Sequence, residues 1–137
     1  GIGVTPLLAM AKHLVHQGGH APLYFLHAAR NSRTQAFARE IRDLATLSDD
    51  VTTHVLYDLP LADDVPAGRC DAVGLLDSGF LRSWAPLEAA NVLFCGPRPF
   101  MRGTYATLKG LAVPDDRIRF EFFGPRQDVT SAAVEAA

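Results

Sequence analysis

Two glycines at the start of the chain are spaced for binding a phosphate. The chain begins GIGVTP, so Gly1 and Gly3 stand directly before Thr5 and Pro6, a hydroxyl cap and a proline typical of a helix start. Glycine lets the backbone approach a phosphate closely, and a helix N-terminus adds free N–H groups and a positive dipole. Because position 6 is proline, the third glycine of the usual dinucleotide-binding pattern is absent. The loop therefore predicts either a nucleotide site or only a tight turn that caps a helix.

A second glycine turn, at residues 95–101, follows a predicted buried strand and reads CGPRPFM. Ligands of open α/β sheets bind at the carboxyl ends of the strands. Gly96 permits close backbone approach there, and Pro97 and Pro99 restrict the path of the loop. Cys95 can be a nucleophile, a metal ligand or a packing residue, and no Cys-x-x-Cys pair accompanies it. We expect the two turns to meet at one crevice of the sheet.

Alternating helix and strand patterns are expected to position these turns. Strands are predicted over residues 23–26, 51–57, 92–95 and 117–122, and helices from 6 to the glycines at 18–19, after 32, over 75–84 and from 99 to about 110. Ser32 and Gln35 fit a capping box for the second helix, whose predicted apolar face consists of Phe37, Ile41, Leu44 and Ala45. Residues 59–74 are read as a long surface loop. The alternation predicts an α/β fold with a doubly wound parallel sheet.

The composition limits the class of protein. The chain has 137 residues, 48% of them hydrophobic, and a formal net charge of −2. The length predicts one domain, over residues 1–126, and we expect a flexible tail over 127–137. The near-neutral charge argues against a nucleic-acid-binding module. No apolar run reaches the roughly 18–20 residues of a membrane span, and the five histidines are too scattered to predict a metal site. Two cysteines, Cys70 and Cys95, favour a reducing, cytoplasmic setting.

Several segments together resemble the NAD(P)-binding domain of ferredoxin–NADP reductase-like flavoenzymes. They are GIGVTP at 1–6, FLHAARN at 25–31 and CGPRPFM at 95–101. The ending FEFFGP at 120–125 resembles, more specifically, the C-terminal signature of flavohemoglobins, and the resemblance extends over residues 1–126. It implies an enzyme that passes electrons from NADH (or NADPH) through FAD to haem b and converts nitric oxide to nitrate. The FAD-binding and globin modules, and the first, central strand of this sheet, would then precede Gly1.

The resemblance also implies roles for individual residues. Gly3, Val4 and Thr5 would lie against the pyrophosphate and nicotinamide. Cys95 and Gly96 would border the nicotinamide ring. Near the flavin, Glu121 would lie at its contact with nicotinamide and Phe123 would cover its face. The implied cofactor-binding residues are Gly1, Gly3, Val4, Thr5, Pro6, His27, Arg30, Tyr57, Cys95, Gly96, Pro97, Phe100, Met101 and Phe123; those implied in hydride transfer are Glu121 and Phe123.

Charges after the second and third strands bear on the choice between NADH and NADPH. Arg30 and Arg33 can bind the 2′-phosphate of NADPH. Tyr57 and Asp58, however, stand where NADPH-dependent relatives have Ser-Arg, and a carboxylate there would repel a phosphate. We therefore predict NADH. The alternative is that these charges are solvated and play no part in selectivity.

Two other functions fit parts of this pattern. One is the reductase component of an oxygenase system in which an iron–sulfur module replaces the globin. The other is a binding module that senses NAD(H) without catalysis. The ending at 120–125 favours the flavohemoglobin over the first, and a sensor would have no need of Glu121 and Phe123.

Overall fold

The structure, a computed structural model, describes residues 4–120. In chain order the elements are α1 (Val4–Gln17), β1 (Leu23–Ala29), α2 (Ala38–Leu47), β2 (Val51–Tyr57), β3 (Ala72–Val73), α3 (Ser78–Trp84), β4 (Val92–Phe94), α4 (Arg98–Gly110), a 3-10 turn (Asp115–Arg117) and β5 (Ile118–Phe120). They form two compact units that divide between Leu75 and Leu76. Within residues 4–120 no helix is long and apolar enough to cross a membrane.

The first unit is built on a parallel sheet in the order β1-β2-β3. β1 and β2 pair along their whole length, from Leu23 beside Val51 to Ala29 beside Tyr57. The helices α1 and α2 cover this sheet through apolar side chains at helical spacing. The buried cluster consists of Val4, Leu8, Ala11, Phe25, Ile41, Leu44 and Val51. Because this core holds β1 and β2 in register, their carboxyl ends lie side by side.

The second unit contains the parallel pair β4-β5, in which Val92 lies beside Ile118 and Phe94 beside Phe120. Met101, Thr104 and Leu108 are the buried residues of α4, at spacings of three and four, so one face of this helix packs inward. The short helix α3 starts three residues later than the helix predicted over 75–84, because the Asp77 side chain caps it by accepting a 2.8 Å hydrogen bond from the Phe80 N–H. β4 ends directly before the cysteine–glycine turn.

The alternation of elements and the parallel pairing of strands confirm the predicted α/β fold. β2 has the bounds that its β-branched residues predicted, whereas β1 continues three residues further than expected. A 3-10 turn, Asp115–Arg117, stands where the last strand was expected to begin. These differences are at the ends of elements, where tertiary contacts rather than local propensity decide.

Three predictions about helix starts and faces were wrong. α1 begins at Val4, so Thr5 lies inside its first turn and does not precede it. α2 begins at Ala38, because Ser32 and Gln35 hydrogen-bond to residues distant in sequence instead of forming a capping box. Phe37 precedes this helix in the left-handed conformation (φ 59°) and is exposed, as is Ala45, so neither belongs to the buried face.

Candidate functional site

The carboxyl ends of β1 and β2 form an edge that carries two charged residues. Hydrogen bonding between the strands continues past their ends: Asp58 N–H donates to Ala29 C=O (3.2 Å) and Leu59 N–H donates to Arg30 C=O (3.0 Å). Arg30, which is exposed, and Asp58, which is half-buried, therefore leave the sheet at the same edge. This is the edge at which parallel α/β sheets bind ligands.

Asp58 has a buried oxygen with no partner. Its Oδ1 is shielded from solvent, and no residue within 4–120 donates a hydrogen bond to it. Most buried polar atoms in folded proteins are hydrogen-bonded, so this oxygen is free to accept a hydrogen bond from a donor outside residues 4–120.

Beneath this edge a buried polar network joins β1, β2 and the loop between β1 and α2. The Tyr57 hydroxyl donates to Gln35 Oε1, so the amide nitrogen of Gln35 is left to donate to His27 Nδ1 at 3.2 Å. Only 7% of His27 and 1% of Tyr57 are exposed. Burial lowers the pKa of His27 to about 4 and raises the pKa of Tyr57, with the Asp64 charge adding to the latter. Both groups are therefore neutral at pH 7 and act as anchors of the loop.

Asp64 is a second buried polar group beside this network, and its exposed fraction is 0%. Its Oδ2 accepts hydrogen bonds from the N–H groups of Ser32 (3.2 Å) and Leu61 (2.8 Å), and its Oδ1 accepts one from Arg69 Nη1 (3.2 Å). Burial alone would raise the pKa of this carboxyl, but the hydrogen bonds from Ser32, Leu61 and Arg69 outweigh it and lower the pKa to about 2. Asp64 is thus an ionised, fully enclosed carboxylate at neutral pH.

An open cleft of about 610 Å³ lies beside these groups in the first unit. Tyr57 and Ser32 line it together with two arginines, Arg42 and Arg69. Sequence reasoning missed Asp64, and it interpreted Gln35 as part of a helix cap. Asp64 contacts Ser32 across 32 residues and Gln35 contacts Tyr57 across 22, so no local pattern marks these two contacts.

The cysteine–glycine turn connects β4 to α4 in the second unit. Cys95 and Gly96 are half-buried, and Pro97 occupies the position just before the helix. A Cβ placed on Gly96 would lie 2.6 Å from Cδ1 of the Phe100 ring, closer than two carbon atoms can approach. Gly96 thus leaves space for the aromatic ring. Met101 is 2% exposed, which leaves it little surface for a ligand and makes it a packing residue of α4.

The remaining predicted site residues lie at the two ends of the chain. At the start of α1, Val4 is buried, Thr5 is exposed and Pro6 is half-buried. A helix start with an exposed hydroxyl agrees with anion binding, though it does not by itself make a site. The glycines Gly1 and Gly3, like Glu121 and Phe123, lie outside the described residues, and their roles stay predictions.

Comparison with known proteins identifies the family of this chain. Residues 1–105 match the family described as "Oxidoreductase NAD-binding domain". The chain belongs to this family.

Relatives of this NAD-binding domain include bacterial proteins named flavohemoprotein. The chain is 47% identical to one from Rhodopirellula baltica over 131 residues, which are 96% of this chain and 32% of that protein. It is 38% identical to one from Chromobacterium violaceum over 124 residues and 34% identical to one from Bacillus cereus over 125 residues. The alignment with the Chromobacterium violaceum protein covers 90% of this chain and 30% of that protein. The alignment with the Bacillus cereus protein covers 91% of this chain and 31% of that protein. The chain spans about a third of the length of these relatives, and the predicted resemblance to flavohemoglobins is confirmed.

We expect Tyr57→Phe to lower the free energy of unfolding of the NAD-binding domain by about 1–2 kcal/mol. The variant removes the donor to Gln35 Oε1 and leaves that buried oxygen unsatisfied. Denaturant unfolding at pH 7, compared with the wild type, measures the difference. A loss below about 0.5 kcal/mol would mean that water replaces the hydroxyl and that the network is not closed.

Proposed function

We propose that this chain is the NAD(P)H-binding reductase domain of a flavohemoglobin. In this proposal the protein passes hydride from NADH to FAD and then electrons to haem b, where nitric oxide is converted to nitrate. The similarity to proteins named flavohemoprotein over nearly the whole chain supports it. FAD and haem would be bound by FAD-binding and globin modules of the same polypeptide.

The two ends of the dinucleotide require different residues in this proposal. The adenosine half binds at the carboxyl ends of β1 and β2, where Arg30 is exposed. The unsatisfied Asp58 oxygen accepts a hydrogen bond from a ribose hydroxyl. His27 and Tyr57 support this edge through their hydrogen bonds to Gln35. The nicotinamide half binds at the cysteine–glycine turn. The residues assigned to the pyrophosphate and nicotinamide are Gly1, Gly3, Val4, Thr5, Pro6, Cys95, Gly96, Pro97 and Phe100.

Hydride transfer requires the nicotinamide and flavin rings to stack closely with water excluded. The cofactors supply the redox chemistry, and the protein supplies binding and orientation. Glu121 and Phe123 are assigned to this contact on the resemblance alone. A cytoplasmic location is also proposed, since Cys70 and Cys95 are both free of disulfides.

Purification of the full-length polypeptide tests the proposal directly. We expect a haem Soret band and flavin absorbance, together with nitric oxide consumption that depends on NADH and yields one nitrate per nitric oxide. Iron–sulfur absorbance in place of the Soret band would instead support the reductase component of an oxygenase system. A protein that binds NAD(H) but contains neither haem nor flavin would contradict both enzymes and support a sensor.

We expect a kcat/KM for NADH about tenfold or more above that for NADPH in the full-length enzyme. The 2′-phosphate of NADPH would meet the carboxylate of Asp58, whereas the 2′-hydroxyl of NADH can donate to its unsatisfied oxygen. Asp58→Asn removes the negative charge and should lower the ratio of kcat/KM for NADH to kcat/KM for NADPH. Asp63→Asn, at an exposed carboxylate of the same loop, is the matched control and should leave it unchanged. A higher kcat/KM for NADPH in the wild type would contradict the prediction.

A further inference from the structure

Asp64 lies between the two loops that leave the carboxyl ends of β1 and β2. We call residues 30–35 the first loop and residues 58–70 the second loop. Asp64 belongs to the second loop and accepts a hydrogen bond from the Ser32 N–H of the first. Within its own loop it accepts from the Leu61 N–H and from Arg69, and its backbone carbonyl accepts from the Arg69 N–H at 2.9 Å. The two loops are also joined where they start, by the hydrogen bond from the Leu59 N–H to the Arg30 C=O at 3.0 Å. The enclosed carboxylate of Asp64 adds a second tie, at the middle of the first loop.

Apart from the bond to Asp64, few hydrogen bonds fix the position of the first loop. Asn31 folds the loop back on itself by accepting from the Arg33 and Thr34 N–H groups at 3.0 and 3.3 Å. It also donates to Leu59 C=O at 3.3 Å, a long bond to an exposed residue. At its far end the loop is anchored by Gln35 through His27. Asp64 supplies the buried, charge-assisted bond in the middle of the loop.

A missing Asp64 carboxylate would leave its donors without partners. The Ser32 and Leu61 N–H groups and the Arg69 guanidinium would each have to find another acceptor, and the first two are backbone groups that cannot move without moving the loops. Ser32 and Arg69 both line the open cleft of the first unit, so its walls would move with them. The first loop begins at Arg30 and the second at Asp58, the two charges at the proposed adenosine site.

We propose that Asp64 is a positioning residue for the adenosine half of the dinucleotide: it holds the first loop against the second, so that Arg30 and Asp58 present a single preformed site. It contacts no cofactor itself. The inference rests on the proposed function, because it assigns the strand ends to the adenosine half.

The test uses the full-length enzyme, with NADH oxidation by ferricyanide as the assay, so that the result does not depend on haem. The variants are Asp64→Ala, which removes every acceptor, and Asp64→Asn, which keeps one side-chain oxygen. Asp63→Ala is the control, because Asp63 directly precedes Asp64 and is exposed. AMP serves as a probe of the adenosine site and nicotinamide mononucleotide as a probe of the other half.

Asp64→Ala should raise the KM for NADH and the inhibition constant of AMP about tenfold. The inhibition constant of nicotinamide mononucleotide and kcat at saturating NADH should stay within about twofold, since those contacts lie elsewhere. Asp64→Asn should raise the KM for NADH and the inhibition constant of AMP by a smaller factor. Asp63→Ala should leave both unchanged. A role in folding alone would lower kcat by lowering the amount of active enzyme, and it would leave the AMP constant unchanged.

Two results would overturn the inference. One is an unchanged AMP constant in Asp64→Asn, or in Asp64→Ala where that variant folds. The other is an equal rise for AMP and nicotinamide mononucleotide, which would indicate general loosening. A wild-type enzyme that neither oxidises NADH nor binds AMP would instead contradict the proposed function, so the two failures are distinguishable.

Discussion

Replacing Gly96 by alanine is expected to lower kcat/KM for NADH by about 30-fold in the full-length enzyme. The added Cβ would lie 2.6 Å from Cδ1 and 3.3 Å from Cε1 of Phe100, so the aromatic ring must turn away. Gly96 does not have a positive φ, and alanine therefore meets no backbone strain there. The effect comes from lost space at the turn where we propose that nicotinamide binds.

Gly103→Ala is the matched control for this prediction. Gly103 is an exposed residue of α4, and a Cβ there would have no neighbour within 4 Å. Alanine favours the helix by up to about 1 kcal/mol, so this variant should be slightly more stable and fully active. Steady-state kinetics and thermal unfolding of both variants are the measurements. Wild-type kcat/KM in a folded Gly96→Ala would show that the turn does not contact the cofactor.

Acid should destabilise the domain through His27 by about 3 kcal/mol. Burial lowers the pKa of His27 from 6.5 in the unfolded chain to about 4 in the fold. Between these values the unfolded chain binds the proton and the folded chain does not, so protonation favours unfolding. The stabilisation is complete above pH 6.5 and is lost as the pH falls towards 4.

The free energy of unfolding at pH 7.5, 5.5 and 4.5 measures this dependence. His27→Gln has no titrating group, so its stability should change less over this interval. The control His13→Gln alters an exposed histidine of α1 and should keep the wild-type dependence. The buried Asp64 titrates in a lower range, because its pKa of about 2 lies below the ordinary 3.8, so it loses stabilisation only as the pH falls below about 3.8. Equal pH dependence in His27→Gln and the wild type would contradict the prediction.

Local sequence patterns were sufficient for most of the fold. The β-branched run at residues 51–57 predicted β2 with its observed bounds. The glycine pair at 18–19 marked the end of α1, because Gly18 has the left-handed φ of +71° that a helix end requires. The start of α2 was not predictable in this way. Ser32 and Gln35 have the spacing of a capping box, but both are engaged in tertiary hydrogen bonds.

The sequence by itself determined the α/β class and the cysteine–glycine turn, since each is a short or periodic pattern that local sterics and hydrophobic spacing produce. It indicated the family through the resemblance of short segments to known reductase domains. Only the tertiary structure revealed the groups that hold the candidate site. Tyr57 bonds to Gln35 across 22 residues and Ser32 to Asp64 across 32. Partners so far apart meet only after the hydrophobic core has aligned β1 with β2. A buried carboxylate in a loop therefore has no local signature, although it is stable only in that arrangement.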